Sequence, residues 1–394
     1  METYSIIRFY QDSSWSKLLK ENPTCVDLFC GCGGLSLGFS LAGFQVLCGL
    51  DNDPDSIMTY NRNFPGQPGM CRDIKQLTKA SIKKALPPGL RVDVLIGGPP
   101  CQGFSQANQW SKAHDDPRNE LMLYFAEQLE FLRPRMFLIE NVKGIMSPAK
   151  RHIKDSVIEM VTKKGYEVWG PKVLNASEFG VPQKRERAFI VGWVKGLSFQ
   201  WPESQSGSSV TVKEAISDLY AYEDKHDDAP VPYCSQPQST YQRKMRKGSK
   251  LLHNHEARMP ASVTQEKISH VPQGGNWRDI PAEIIGSLRT NRHSSAFRRL
   301  HEDLPSITVD TGNSHSNYFH PIANRIPSVR EAARLQSFPD RFKFEGTRGS
   351  QYRQVGNAVP PLLAEALGCA FLRSLRLADS NAEADAELER QLKF

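Results

Sequence analysis

The segment Gly97-Gly-Pro-Pro-Cys-Gln-Gly-Phe-Ser105 holds the residue of this 394-residue chain best suited to covalent chemistry. It follows a short apolar run that reads as a buried strand, so Cys101 is expected in a rigid loop at the carboxyl edge of a sheet, where doubly wound folds bind ligands. A cysteine presented this way is a candidate nucleophile, with the thiolate as the attacking species. The ordinary alternative is a buried structural cysteine; the Pro-Pro-Cys loop weighs against it. Glu140-Asn-Val142 follows the next β-rich run and brings a carboxylic acid to the same edge. Gln183-Lys-Arg-Glu-Arg187 precedes a further strand, so Arg185 and Arg187, at alternating positions, are expected to point the same way. Two guanidinium groups aimed at a pocket suit a planar acceptor or a phosphate. The polar run from Gln106 to Arg118 reads either as a lid or as a surface loop.

A second constellation is Cys25-Val-Asp-Leu-Phe-Cys-Gly-Cys-Gly-Gly34, a strand feeding a glycine turn and then a helix. Glycines there let a ligand approach the backbone closely. The dinucleotide fingerprint would be G-x-G-x-x-G; this chain has Gly31-x-Gly33-Gly34 and Ser36, which leaves the tight turn and weakens the diphosphate grip. Asp51, at the end of the next strand, is placed to accept hydrogen bonds from both hydroxyls of a ribose. Together these point to a nucleoside-containing cofactor, although the turn alone is equally an ordinary left-handed one. Asp73 either contacts a base or caps a helix.

These residues need a scaffold of alternating elements. Thr24–Phe29, Phe44–Leu50, Val92–Ile96, Met136–Ile139 and Ala188–Trp193 read as strands, and Leu35–Ala42 as a helix between the first two. Strands spaced by helical patterns predict an α/β fold with a parallel sheet covered on both faces. After Gly196 the sequence turns polar and rich in Ser, Gln and Pro, and residues 197–325 show little periodicity. Helical patterning returns at Ser328 and again over Pro360–Leu375, ahead of an acidic tail from Asp379 that reads as a solvated helix. The whole chain carries a net charge of +7, but Tyr241–Leu300 alone holds twelve Lys and Arg against four Asp and Glu, which is +8. A basic excess confined to one segment is the footprint of a polyanion-binding surface. No apolar run approaches the roughly 18 residues of a membrane span. The start, Met-Glu-Thr-Tyr-Ser, has no secretory h-region, so a cytoplasmic protein without disulfides is expected. The eight cysteines show no C-x-x-C spacing, so no zinc site is expected. His253, His255, His270 and His293 read as polar loop residues rather than metal ligands.

In order along the chain, DLFCGCGG (27–34), GLDND (49–53), GGPPCQGFS (97–105), ENVKG (140–144), QKRER (183–187), VREAARLQSFPD (329–340) and QVGNAVP (354–360) resemble the motifs of a DNA (cytosine-5)-methyltransferase of the bacterial restriction-modification type. The resemblance runs from about residue 24 to 375. It implies a class I S-adenosylmethionine-dependent, Rossmann-like large domain in residues 1–196, a loop-rich target-recognition domain in 197–327, and a segment 328–394 that returns to complete the first. It implies S-adenosyl-L-methionine as cofactor, double-stranded DNA as partner, a possible cognate endonuclease, and a monomer without metal. Carried over by motif, Cys101 attacks C6 of a flipped cytosine, Glu140 meets its N3 and N4 edge, and Arg187 holds O2, with Arg185 beside it. Cofactor contacts fall on Phe29, Gly31, Gly33, Gly34, Asp51, Asn52, Asp73, Ile74, Pro99, Leu121, Asn357 and Val359. Many relatives carry an aromatic or apolar residue where this chain has Asn52, which alters the expected packing on the adenine. DNA contacts fall on Gln102, Ser105 and Arg118 of the closing loop. In the recognition domain they are expected from Arg243, Lys244, Arg246, Lys247, Trp277 and Arg278. The rival readings are an RNA cytosine methyltransferase, disfavoured by the long basic segment; a silent DNA-binding module, disfavoured by the intact Cys101, Glu140 and Arg187; and a dehydrogenase, disfavoured by the missing third glycine.

Overall fold

A computed structural model describes residues 22–78, 86, 90–100, 120–148, 151–205, 207, 209–220, 229–257, 259–286, 297–311 and 318–391. Cys101, Gln102, Ser105 and Arg118 lie outside the described residues. The chain forms two compact units, one made of Met1–Leu174, Glu186–Ser204 and Leu363–Phe394, the other of Asn175–Arg185 and Gln205–Leu362.

The first unit is built on seven strands: β1 (Thr24–Leu28), β2 (Gln45–Asp51), β3 (Gly69–Cys71), β4 (Val94–Gly97), β5 (Met136–Val142), β6 (Tyr166–Asn175) and β7 (Glu186–Val194). Their order across the sheet is β3-β2-β1-β4-β5-β7-β6. β1 and β4 are adjacent and parallel, yet the chain leaves one toward β2 and the other toward β5. Their carboxyl ends therefore form the switch point at which doubly wound sheets bind ligands. Every residue of β1 and of β4 is buried, so neither run alternates; β4 is apolar apart from its glycine, whereas β1 also buries Thr24 and Asp27. Helices α1 (Gly34–Leu41), α2 (Pro54–Asn63), α3 (Glu120–Leu132) and α4 (Arg151–Lys163) supply the crossovers.

The sheet departs from the all-parallel expectation because β7 runs antiparallel to β5. β6 also went unread in the sequence. Its Gly170-Pro171 pair looks like a loop signal, but β6 is an edge strand, the one place where a proline removes no ladder hydrogen bond.

The second unit has short helices, α5 (Val212–Ile216), α6 (Thr240–Arg246), α7 (Ser262–Ser269), α8 (Ala282–Ile285), α9 (Val329–Leu335) and α10 (Arg348–Asn357), with two-residue strands between them. Residues 328–362 fall in this unit, whereas the resemblance implied that the whole segment 328–394 completes the sheet unit. The reason is α9, which is buried at all seven positions and packs by charge pairing. Arg334 bridges Asp340 and Asp218, and Arg325 clasps Glu331 through two hydrogen bonds of 2.7 and 2.9 Å.

The last helix, α11 (Pro361–Gln391), brings the chain back to the sheet unit at Leu363. Phe371 meets Phe39 and Phe199 with ring centroids 5.6 and 5.1 Å apart. The expectation that no stretch is long and apolar enough to span a membrane needs correction. An 18-residue window within Arg348–Asn381 has a mean hydropathy of 1.4. Two-thirds of that window is buried in protein, as in the core helix of a globular domain.

Candidate active site and cofactor cradle

Glu140 lies inside β5 rather than after it, and β5 pairs with β7 so that Val142 faces Arg187 and Glu140 faces Phe189. Glu140 and Arg187 are thus diagonal neighbours on one face, within reach of long side chains. They form an ion pair, Arg187 Nε to Glu140 Oε1 at 3.1 Å, with about one-seventh of each side chain exposed. Burial pulls the Arg187 pKa down and Glu140 opposes that; a guanidinium stays charged regardless.

The loop leaving β4 passes against this pair. A Cβ on Gly98 would lie 3.0 Å from Glu140 Oε2, so a glycine lets the chain run close to the carboxylate. Asn141, buried, donates from Nδ2 to Pro99 O at 3.1 Å, and its Oδ1 accepts from the Val142 amide at 2.9 Å. One side chain therefore ties the Pro99-Pro100 approach to β5, two residues before Cys101. The sequence signal for Asn141 is an amide next to a candidate acid, a residue type able to fix two backbone segments at once.

A candidate cofactor cradle lies at the carboxyl ends of β1 to β3. Phe29 and Gly31 both take positive φ, 62° and 51°. For phenylalanine that conformation is unusual and commonly marks a functional turn. A Cβ on Gly31 would meet no atom within 4 Å, so the backbone there faces open space. Asp51 fixes the turn by accepting from Gly31 N through Oδ2 at 2.9 Å, while its Oδ1 accepts from Asp53 N at 2.9 Å. Each oxygen keeps a second lone pair, which is what a ribose diol would use. Burial raises the Asp51 pKa and the backbone hydrogen bonds partly offset it. Asn52 is exposed; Gly33, Gly34 and Pro99 are buried, and Leu121 is half-buried at the start of α3. Asp73 caps the short helix Ile74–Gln76 by accepting from Lys75 N, one of the two roles foreseen for it, and Ile74 is buried beneath it. These residues fit a nucleoside: an open glycine turn, a diol acceptor on the neighbouring strand, and a further carboxylate on the next.

Four residues singled out in the sequence are placed differently from the expectation. Arg185 precedes β7 and belongs to the second unit. It is 1% exposed and donates to Val309 O and Gly356 O at 3.0 and 2.8 Å. It does not share the orientation expected of a strand partner to Arg187, because its donors hold backbone carbonyls. With Gln336, which donates to Val355 O and Ala358 O, it fixes the turn carrying Asn357, exposed, and Val359, buried. Arg246 is likewise turned inward. It pairs with buried Asp218, donates to Ser235 O at 2.7 Å and lies over the Tyr233 ring at 4.0 Å. Its neighbours Arg243, Lys244 and Lys247 remain exposed. His255, expected in a polar loop, is buried with Nδ1 2.7 Å from Ser328 Oγ. Trp277 packs half-buried against a small core of Ile268, Val271 and Phe319, with exposed Arg278 over its ring at 5.4 Å. Among the described residues no group of three or more His, Cys, Asp or Glu is arranged to hold a metal ion.

Comparison with known proteins bears on this arrangement. The sequence profile of C-5 cytosine-specific DNA methylases matches residues 23–373. The Type II methyltransferase M1.HphI of Haemophilus parahaemolyticus is 37% identical over 354 residues, covering 89% of this chain and 87% of that protein. M.DdeI of Desulfomicrobium norvegicum is 35% identical, covering 87% and 86%. A crystal structure assigned as a prophage-encoded DNA modification methyltransferase from E. coli superposes with a TM-score of 0.76 at 28% identity, covering 90% of this chain and all of that one.

Proposed function

Because the chain belongs to the C-5 cytosine-specific DNA methylase family and is therefore a DNA (cytosine-5)-methyltransferase, we propose that it methylates one cytosine within a defined site of double-stranded DNA, with S-adenosyl-L-methionine as donor. Its proposed setting is a cytoplasmic restriction-modification system, where it acts as a monomer and protects the site cut by a cognate endonuclease. The observation that carries the reading is the Glu140–Arg187 pair against the loop that leads into Cys101.

The residue types follow from the chemistry. C5 of cytosine is too weak a carbon nucleophile to take a methyl group unaided. The Cys101 thiolate adds to C6, and the C5=C6 electron pair moves onto C5, which becomes enamine-like. As the thiolate adds, N3 takes a proton from water; Glu140 accepts from that N3–H and from the N4 amino group, and Arg187 donates to O2, so the charge that develops on the ring meets fixed partners. The cofactor supplies a methyl group on positively charged sulfur, an electrophile with a neutral leaving group. Asp51 is proposed to hold the ribose and Asp73 to lie at the base. Once C5 is methylated, water takes the C5 proton, the C–H pair re-forms C5=C6, and the Cys101 thiolate leaves C6. The target atom lies inside the duplex stack, so the base must be flipped out first, at a cost of a few kcal/mol. The proposal assigns sequence recognition to the second unit.

Duplex DNA carrying 5-fluorocytosine tests the mechanism, because fluorine cannot leave as the proton does. The expected result is a covalent complex with the parent protein and none with Cys101→Ala. An adduct formed on RNA alone, or turnover by Cys101→Ala, would overturn the reading. Bisulfite sequencing of DNA from expressing cells gives the recognition site.

A further inference from the structure

Asp27, Gly49 and Gly69 are register partners across β1, β2 and β3, so their side-chain positions lie in one row on one face of the sheet. The two glycines leave that row bare, and the ring of Tyr60, from α2, lies in the space. A Cβ on Gly49 would sit 2.7 Å from the Tyr60 ring, and one on Gly69 2.9 Å from it. The same ring lies 3.1 Å from where Gly33 would carry a Cβ, and it stacks on Phe64 with centroids 4.4 Å apart. Tyr60 is fully buried. A buried phenol needs a partner, and its oxygen lies 3.2 Å from Ser36 Oγ. Ser36 donates its own hydroxyl hydrogen to Asp27 Oδ2 at 2.7 Å, so the Tyr60 hydroxyl is the donor to Ser36. The chain of hydrogen bonds runs Tyr60 to Ser36 to Asp27 and ends on the residue two before Phe29.

Each segment this ring touches leads directly into a cofactor contact. Gly33 closes the turn of Phe29 and Gly31, Gly49 precedes Asp51 by two residues, and Gly69 begins the strand that leads to Asp73. No atom of Tyr60 needs to reach the ligand for its ring to set the spacing of these three segments. We infer that Tyr60 is a positioning residue of the cofactor site, its ring fixing the distances between the glycine turn, Asp51 and Asp73, and its hydroxyl anchoring the ring through Ser36 to Asp27. The inference rests on S-adenosyl-L-methionine being the cofactor.

The test is the dissociation constant of S-adenosyl-L-methionine for the full-length protein without DNA, measured by titration calorimetry, together with steady-state kinetics. Tyr60→Phe keeps the ring and loses one buried hydrogen bond, so its dissociation constant should rise about fivefold. Gly49→Ala displaces the ring and should weaken binding roughly tenfold or more. In both, turnover at saturating cofactor and KM for DNA should match the parent. Ser36→Ala should mimic Tyr60→Phe, and the double variant should be no weaker than either alone, since both break the same chain. A purely structural role would instead lower the melting temperature and the fraction of active protein, leaving the cofactor constant of the folded molecules unchanged. Variants that bind the cofactor as tightly as a parent that binds it overturn the inference alone. A parent that does not bind it overturns the functional reading and this inference with it.

Discussion

Asp27 in the sheet unit and Glu331 in the second unit are both fully buried carboxylates, and their surroundings are opposite. Among the described residues Asp27 meets no cation. It accepts from Ser36, its Oδ1 has no hydrogen-bond partner among the described residues, and burial pushes its pKa up to about 7 against the pull of Ser36. Burial acts on Glu331 most strongly as well, but Arg325 and two histidines outweigh it and hold the group below the usual carboxylate range. Arg334 shows the same pattern from the cationic side, since Asp340 and Asp218 more than offset its burial. In the second unit, then, buried charge is matched and serves as internal framework. In the sheet unit it is left under-matched at β1, where the Asp27 carboxyl holds Ser36 of α1 at some cost to stability.

That contrast predicts where turnover and stability part company. Glu140→Gln should lower turnover by about 10²–10⁴-fold, the usual range for a group stabilising a proton in the transition state. Glutamine keeps an oxygen for Arg187 in this mostly buried pair, so the loss of stability should stay below that of breaking a fully buried pair. Arg334→Met leaves Asp218 and Asp340 buried without their cation and should cost about 3–5 kcal/mol of stability, with turnover per folded molecule close to the parent. If Glu140→Gln unfolded the protein, or Arg334→Met were silent in a urea titration, the division of labour would be wrong.

The two units should also respond to acid in opposite directions. Asp27 ionises near 3.8 when unfolded and near 7 when folded, so between these values the native state holds the extra proton and stability falls as pH rises. His255 is held neutral by burial, its pKa pushed down to about 4 from 6.5. Between these values the unfolded state takes the proton, so stability falls as pH falls, and His320, pushed down to about 3, adds to the loss. At about 1.4 kcal/mol per unit, each effect amounts to roughly 3–5 kcal/mol. Asp340, lowered to about 2 by Arg334 against its own burial, extends the loss in the second unit below pH 3.8. Hydrogen exchange at pH 5 and pH 8 reads this directly. Amides of β1 and α1 should be better protected at pH 5, after correction for intrinsic rates, and those of α9 better at pH 8. A common direction in both units would dissolve the contrast.

What could be read from the sequence divides along the same line. β1, β2, β4, β5 and β7 were legible because short apolar runs ending in glycine turns or acids have few other readings, and Glu140, Arg187 and Asp51 sit at their ends. Arg185, Arg246 and Arg299 were misread or passed over for one reason: a buried arginine and a solvated one look alike in sequence. What sends Arg299 inward is a set of carbonyls at Ile268, Pro321 and Ile322, far from it along the chain and visible only in the fold. Tyr60 was missed because its significance lies in the two glycines opposite it on other strands.

The basic segment gives the finest test, with the smallest expected effect. Among its described residues, Arg246 and Arg299 are turned into the interior, whereas Arg243, Lys244 and Lys247 on and after α6 stay exposed. If the exposed set meets phosphates, replacing Lys244 and Lys247 with alanine should reduce the slope of log K against log salt by about 2 and weaken all duplexes equally, because phosphate contacts carry no sequence information. Arg246→Ala should leave the slope as it is and instead lower the melting temperature, since it strips Asp218 of one of its two cations. Filter binding of a specific and a scrambled duplex between 50 and 200 mM salt, paired with thermal denaturation, separates the outcomes. A slope change in Arg246→Ala, or none in the double lysine variant, would mean that sequence charge locates the DNA surface better than burial does.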